Sequence, residues 1–345
     1  MSTTTTAPPG EATEPGRSSV RERATSERIR EGLEKYGLLI LLVALLVFFS
    51  TTWDRPATFR SPDNIAAVVG TYSVPMILAL ATIIPLCCGQ FDLTVGPVAG
   101  LSAIAAAGAL TNAELPLAVA VAVVLVIGLV IGLINGFLIA YVRVSAFIVT
   151  LGMASVILGL ITLYTNGSTI LVSNETLASV GSGEWLGIPR VTFGAIAVAV
   201  FVYYLLEHTP FGRYLHFIGS NEDAGRLVGL NVDRLVLGSF VFSAMLSALA
   251  GLLLVSRNGS ADPQLGGLAL TLPALSAAFL GSTAFRPGRF NALGTVVAVL
   301  FVGFSLSGLQ LNNVTNWVTD FLTGSVLIIA VSMSVLVGRS RAKRA

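Results

Sequence analysis

Gly89-Gln90-Phe91-Asp92-Leu93-Thr94-Val95-Gly96 sets an acidic residue among polar and glycine positions inside an otherwise apolar run. A carboxylate near hydrocarbon costs at least about 2.5 kcal/mol, so it turns toward a partner, a cavity or water rather than toward lipid. This stretch is therefore the first place to look for a transport function, and its meaning depends on the class of chain that surrounds it.

Of the 345 residues, 54% are hydrophobic and 11% charged, with a mean hydropathy of +0.84. That balance, with repeated long apolar runs, defines an all-α polytopic membrane protein. Runs of roughly 17 to 25 mostly apolar residues give about ten spans, near 37–53, 64–86, 93–111, 116–140, 145–165, 190–207, 235–256, 268–285, 291–311 and 317–337. An even number places both termini on one side, and the basic tail Arg339, Arg341, Lys343 and Arg344 assigns that side to the cytoplasm. Under this orientation only Arg55, Arg60, Arg190 and Arg257 of the twenty Lys and Arg residues lie outside, as the positive-inside rule requires. A net charge of +2 leaves no nucleic-acid footprint.

Three segments follow. Residues 1–36 read as a largely disordered cytoplasmic tail, with a charged helix from Ser26 leading into the membrane. Residues 37–338 form the transmembrane domain, and 339–345 a basic cytoplasmic tail. The run from Gly37 to Trp53 is long for a signal-peptide core and ends without a small-residue cleavage site, which favours an uncleaved first span.

Pro75 and Pro85 are expected to interrupt the second span, and Gly89 to Gly96 reads either as a cytoplasmic turn or as a deeper break lining a cavity. Asp92 also fits the N-cap of a helix starting near Leu93. Gly128, Gly132 and Gly136 recur at every fourth position, a pattern of close helix packing. The adjacent Cys87 and Cys88 read as inert buried thiols, and His208 and His216 as solvated residues without metal-ligand companions.

Two connections exceed simple turns. Asn166 to Pro189 reads as an outer cap or docking ledge. Glu207 to Asp233 is more specific: Ser220-Asn221-Glu222-Asp223 fits a capping box opening a short helix that Gly229 stops, leaving Leu227, Val228 and Leu230 partly exposed to plug another protein's groove, the alternative being an amphipathic helix lying on the membrane surface. The only lysines, Lys35 and Lys343, lie outside any G-x-x-x-x-G-K-[ST] context, and no hydrolytic or metal-binding constellation occurs. The chain reads as a transport subunit, not an enzyme.

Gly89 to Gly96, Asn135-Gly136-Phe137-Leu138, Phe147-Ile148-Val149-Thr150-Leu151-Gly152, Phe211-Gly212-Arg213-Tyr214, Gly219-Ser220-Asn221-Glu222 with Ala224, and Arg226-Leu227-Val228-Gly229-Leu230-Asn231-Val232 together resemble the permease subunits of ribose-type monosaccharide ABC importers. The likeness covers roughly residues 64 to 338 and implies a type II importer fold. It also implies a second permease copy, preferably making a homodimer, a cytosolic ATPase pair that uses the ATP, and an extracytoplasmic sugar-binding protein. The chain itself would hold no cofactor or metal. In such importers the inner loop, residues 208–233, couples to the ATPase, which assigns Phe211, Gly212, Arg213, Gly219, Asn221, Glu222, Ala224, Arg226, Leu227, Gly229 and Asn231 to that contact. Gln90, Asp92, Thr94, Asn135 and Thr150 become the polar residues of the translocation path, suited to a neutral sugar such as ribose, xylose or galactose. Branched-chain amino acids or nucleosides are alternative cargoes, and a proton-coupled carrier titrating Asp92 is an alternative mechanism.

Overall fold

The computed structural model describes residues 17–52, 55–312 and 317–342. The first sixteen residues and the last three, with most of the basic C-terminal tail's side chains, lie outside what is described. Among these described residues fourteen α-helices follow in chain order: α1 Arg17–Thr51, α2 Pro56–Phe59, α3 Pro62–Cys87, α4 Val95–Thr111, α5 Leu117–Ala140, α6 Ala146–Thr165, α7 Glu175–Ser182, α8 Arg190–His208, α9 Pro210–Ser220, α10 Glu222–Leu227, α11 Val232–Asn258, α12 Leu268–Gly281, α13 Ala292–Gln310 and α14 Trp317–Ala342. By length and composition α3, α5, α6, α8, α11 and α13 are able to cross a membrane. Four shorter apolar helices, Lys35–Thr51 within α1, α4, α12 and Phe321–Ser332 within α14, occupy the other runs read from the sequence. The first helix begins at Arg17, inside the segment read as tail.

The core is built around α3, whose residues from Ile77 to Ala81 are completely buried. Contrary to expectation, neither Pro75 nor Pro85 interrupts it. Proline removes the hydrogen bond to the carbonyl four residues back, and a membrane helix survives this when a neighbour replaces the lost donor. At Pro75 the freed carbonyl is that of Thr71, and the Arg257 guanidinium at the end of α11 covers it, with Nη1 at 3.4 Å from that oxygen and Nη2 at 2.7 Å from the Thr71 hydroxyl.

The glycine repeat of α5 is a packing surface. A Cβ added at Gly128, Gly132 or Gly136 would lie 2.9 Å from Ala244 O, 2.7 Å from Val241 Cα and 2.9 Å from Leu237 Cα, all backbone atoms of α11. Gly132→Ile is expected to force the two helices apart and destabilise the chain by about 3 kcal/mol, read as a lowered melting temperature in detergent. Gly159→Ile, placed where a Cβ meets nothing within 4 Å, should leave the melt unchanged. Equal melts for the two variants would refute this close packing.

Two helix breaks share one pattern. Glycines in the left-handed region, Gly89 (φ 78°) and Gly259 (φ 63°), close α3 and α11. Three residues on, the side-chain oxygens of Asp92 and Asp262 accept the backbone N–H two positions ahead, from Thr94 at 2.9 Å and Gln264 at 2.8 Å. Four residues later come Gly96 and Gly266. The segments run in opposite senses, because α3 ends against α9 while α11 begins beside α10: a Cβ on Gly219 would lie 2.1 Å from the Cys87 carbonyl oxygen, and Arg226 bonds to Asp233. Their second helices start against one another. A Cβ on Gly96 would sit 2.2 Å from Gly267 O, and the Gly96 N–H donates to Thr271 Oγ1 at 3.1 Å. Two opposed helix–break–helix units thus meet inside the fold, an arrangement that places helix N-termini at the centre of membrane transporters.

Candidate translocation site and coupling loop

Gly89 ends α3 with the paired bonds of a Schellman motif, Gly89 N–H to Leu86 O and Gln90 N–H to Pro85 O, both 3.0 Å. The chain then turns inward, and Asp92 and Thr94 become buried. Asp92 Oδ1 accepts the Thr94 N–H and the Thr94 hydroxyl, the latter at 2.5 Å, and Oδ2 accepts the Ser243 hydroxyl of α11 at 2.8 Å. The Asn135 amide, from α5, donates to Thr94 Oγ1 at 3.2 Å. Three of the five residues assigned to the path therefore form one sealed cluster joining the start of α4 to α5 and α11. Asn135 Oδ1 aside, such satisfaction is what burial of polar groups demands.

The expected N-cap role of Asp92 shifts. The helix starts at Val95, not near Leu93, and Asp92 braces the turn before it rather than occupying the cap. Thr150 of α6 is buried nearby, its hydroxyl donating to Ala146 O at 2.7 Å with a longer approach of 3.4 Å to Phe91 O. Gln90 stands apart and lines a cavity of about 270 Å³ with Arg143, Glu222, Arg226 and Asp233. Asn135 Oδ1 is a buried acceptor without a donor among the described residues. Phe91 projects from the break at 42% exposure and stacks on Phe279, centroids 6.1 Å apart.

The loop between α8 and α11 holds two helices where the sequence predicts one. In α9, Leu215 and Ile218 are buried while Arg213, Tyr214 and Phe217 are exposed, so the helix lies flat on the bundle. Gly212 and Gly219 permit its close approach; their added Cβ atoms would strike the Leu206 and Cys87 carbonyl oxygens at 2.3 and 2.1 Å. Phe211 packs on Phe242 with centroids 5.4 Å apart. His216 is half-buried rather than solvated, 3.8 Å from the Cys87 sulfur, and burial together with the nearby Arg289 guanidinium lowers its pKa. Cys87 and Cys88 are free and buried as expected.

The expected capping box moves by one residue. Ser220 is the last residue of α9 and donates its hydroxyl to His216 O, whereas Asn221 turns the chain and accepts the Ala224 N–H at 2.9 Å. Gly229, at φ 84°, closes α10 with the second Schellman motif, Gly229 N–H to Arg226 O and Leu230 N–H to Gly225 O. Asn231 then caps α11 by accepting the Arg234 N–H. An ion network fixes α10: Glu222 and Asp233 each meet both Arg143 and Arg226, at 2.8 to 3.4 Å. Ala224 is half-buried beneath, while Leu227 is 88% and Val228 67% exposed at the tip.

Sequence reasoning missed Arg143, Asp233, Ser243 and Thr271. Comparison of the chain with itself would have paired Gly89-x-x-Asp92-x-x-x-Gly96 with Gly259-x-x-Asp262-x-x-x-Gly266 and brought attention to the elements around both breaks.

At the opposite end, residues 166–189 are folded as well. Ile170–Leu171 pairs antiparallel with Ser260–Ala261, and a hairpin joins Glu184–Trp185 to Ile188–Pro189. Leu186 and Gly187 turn that hairpin with φ of 56° and 74°, and Leu186 is 98% exposed at its tip. A positive φ is costly for leucine, so this position holds an apolar side chain outward against both strain and water.

Comparison with known proteins agrees with this geometry. Residues 63–331 match the family described as branched-chain amino acid transport system / permease component. The chain is 33% identical to the ribose import permease protein RbsC of Haemophilus influenzae over 84% of its own length and 90% of that protein. It is 35% identical to RbsC of Bacillus subtilis over 87% and 92%, and 30% identical to the L-arabinose ABC transporter permease protein AraH of Azospirillum brasilense over 84% and 85%. No solved structure gives a significant match. On a family match of this extent, the chain belongs to the branched-chain amino acid transport system permease component family.

Proposed function

We propose that this chain is the membrane-spanning subunit of an ATP-driven importer for a monosaccharide, with all ten apolar helices crossing the membrane and both termini on the side of α9 and α10. The observation that carries the reading is the agreement between relatives named for ribose and L-arabinose import over most of the chain and a rigidly mounted apolar tip at Leu227 and Val228. That tip, braced by the four-residue ion network, is the contact for a cytosolic ATPase, which supplies ATP hydrolysis from a separate subunit. A second permease copy completes the path, and an extracytoplasmic sugar-binding protein docks on the ledge that carries Leu186.

Residues 1–36 and 339–345 are the cytoplasmic tails of this arrangement. Asp92, Thr94 and Asn135 form the polar hinge between α4, α5 and α11, and Asn135 Oδ1 is the acceptor to which a sugar hydroxyl donates when the helices separate. The buried cluster contains no cation to receive the carboxylate of an amino acid, which favours a neutral cargo over the amino acids of the family description.

The test is uptake of labelled ribose, L-arabinose and leucine in cells expressing the chain with its ATPase and binding protein. Sugar uptake that stops on ATP depletion with the proton gradient maintained is the expected result. Uptake that follows the proton gradient alone, or accepts leucine only, would overturn the reading.

A further inference from the structure

A groove on the outer surface of the bundle between α3, α8 and α13 encloses about 330 Å³ and is lined by Val69, Met76, Ile196, Val200, Tyr203 and Leu293 among others. It extends along α8 from Thr192 to Tyr203, about 16 Å at helical rise, and along α13 from Ala292 to Leu300, about 12 Å, so it opens at the α9 end of the bundle and reaches past the middle of α8. One helical turn beyond Tyr203, at the α9 end, lies a polar cavity of about 420 Å³ lined by Glu207, Arg213, His216, Arg286 and Arg289, with Ser220 at its edge. The two are neighbours on both walls: Leu206 lines the lower cavity one turn after Tyr203 lines the groove on α8, and Arg289 lies three residues before Ala292 of α13.

The charges of the lower cavity do not cancel. Arg286 pairs with Glu207, but Arg213 and Arg289 make no ion pair among the described residues, and both are exposed. His216 adds no opposing charge. Two uncompensated guanidinium groups therefore stand at the mouth of an acyl-sized apolar channel, at the level where the coupling loop meets the bundle. Guanidinium forks bind phosphate oxygens, and basic pockets between membrane helices at this level bind anionic headgroups.

We propose that this composite site binds one anionic phospholipid, its phosphate between Arg213 and Arg289 and an acyl chain in the groove along α8. The orientation proposed above makes the lipid a member of the cytoplasmic leaflet. Because Arg213 sits on α9, the lipid ties the coupling loop to α8 and α13, and the chain's stability becomes dependent on the acidic lipid content of its membrane.

The full chain, purified in a neutral detergent, is titrated with phosphatidylglycerol, phosphatidylcholine and glycerol 3-phosphate while thermal melting and retained lipid by native mass spectrometry are followed. Phosphatidylglycerol alone is expected to raise the melting temperature and remain bound. The double variant Arg213→Gln with Arg289→Gln should bind it about 25-fold more weakly, each cation near an anionic lipid being worth roughly a factor of five. Val200→Trp, which fills the groove and touches no charge, should also lose it, while the double variant to lysine should retain it.

Equal stabilisation by phosphatidylcholine would refute the role of charge. An equal effect of glycerol 3-phosphate would show a free-anion site without an acyl chain and overturn the proposal. So would a glutamine variant that keeps its lipid but loses a copurifying ATPase or second permease copy, since the cluster would then be a protein interface.

Discussion

Replacing Leu227 and Val228 together by aspartate is expected to bring sugar uptake to background while the chain stays in the membrane at its normal level. The two side chains are 88% and 67% exposed, so their loss should change stability by no more than about 0.5 kcal/mol. Burial of two such side chains in a partner's groove contributes on the order of 3 kcal/mol, and removing it weakens association more than a hundredfold. The introduced carboxylates add a desolvation cost to any apolar groove that receives them. The measurement is ATPase recovered with the tagged chain, together with uptake of labelled ribose. Retained ATPase and retained uptake would show that α10 is not the contact, however well its network holds it.

The helices were legible because apolar runs of membrane length leave few alternatives. The same reasoning found Gly229 as a helix stop and Gly128, Gly132 and Gly136 as a packing face, since both depend on local backbone chemistry that glycine alone supplies. It failed where partners are distant along the chain. Arg143 meets Glu222 and Asp233 across 79 and 90 positions, and Ser243 meets Asp92 across 151; no periodicity connects such residues. It also misplaced the cap of α10 by one residue, because a serine at the end of a helix spends its hydroxyl on the preceding turn. The second helix break was hidden by composition: its glycines and aspartate keep the spacing of the first while the residues between them differ.

The contacts of Asp92 lead to different expected results for the two mechanisms read from the sequence. Asp92→Ala is expected to destabilise the chain by on the order of 3 kcal/mol, because the Thr94 amide and hydroxyl and the Ser243 hydroxyl lose their shared acceptor inside the fold. Asp92→Asn retains every contact: its Oδ1 still accepts from Thr94, and its amide nitrogen donates to Ser243, whose own proton turns to the carbonyl four residues back. The asparagine variant should therefore melt near the wild type and keep most of its sugar uptake, while the alanine variant melts early and accumulates poorly. A carrier that moves protons through Asp92 requires the opposite pattern, a folded asparagine variant with no uptake at all, because an amide cannot titrate. Melting and uptake measured on both variants thus distinguish a carboxylate that holds three helices in register from one that carries charge.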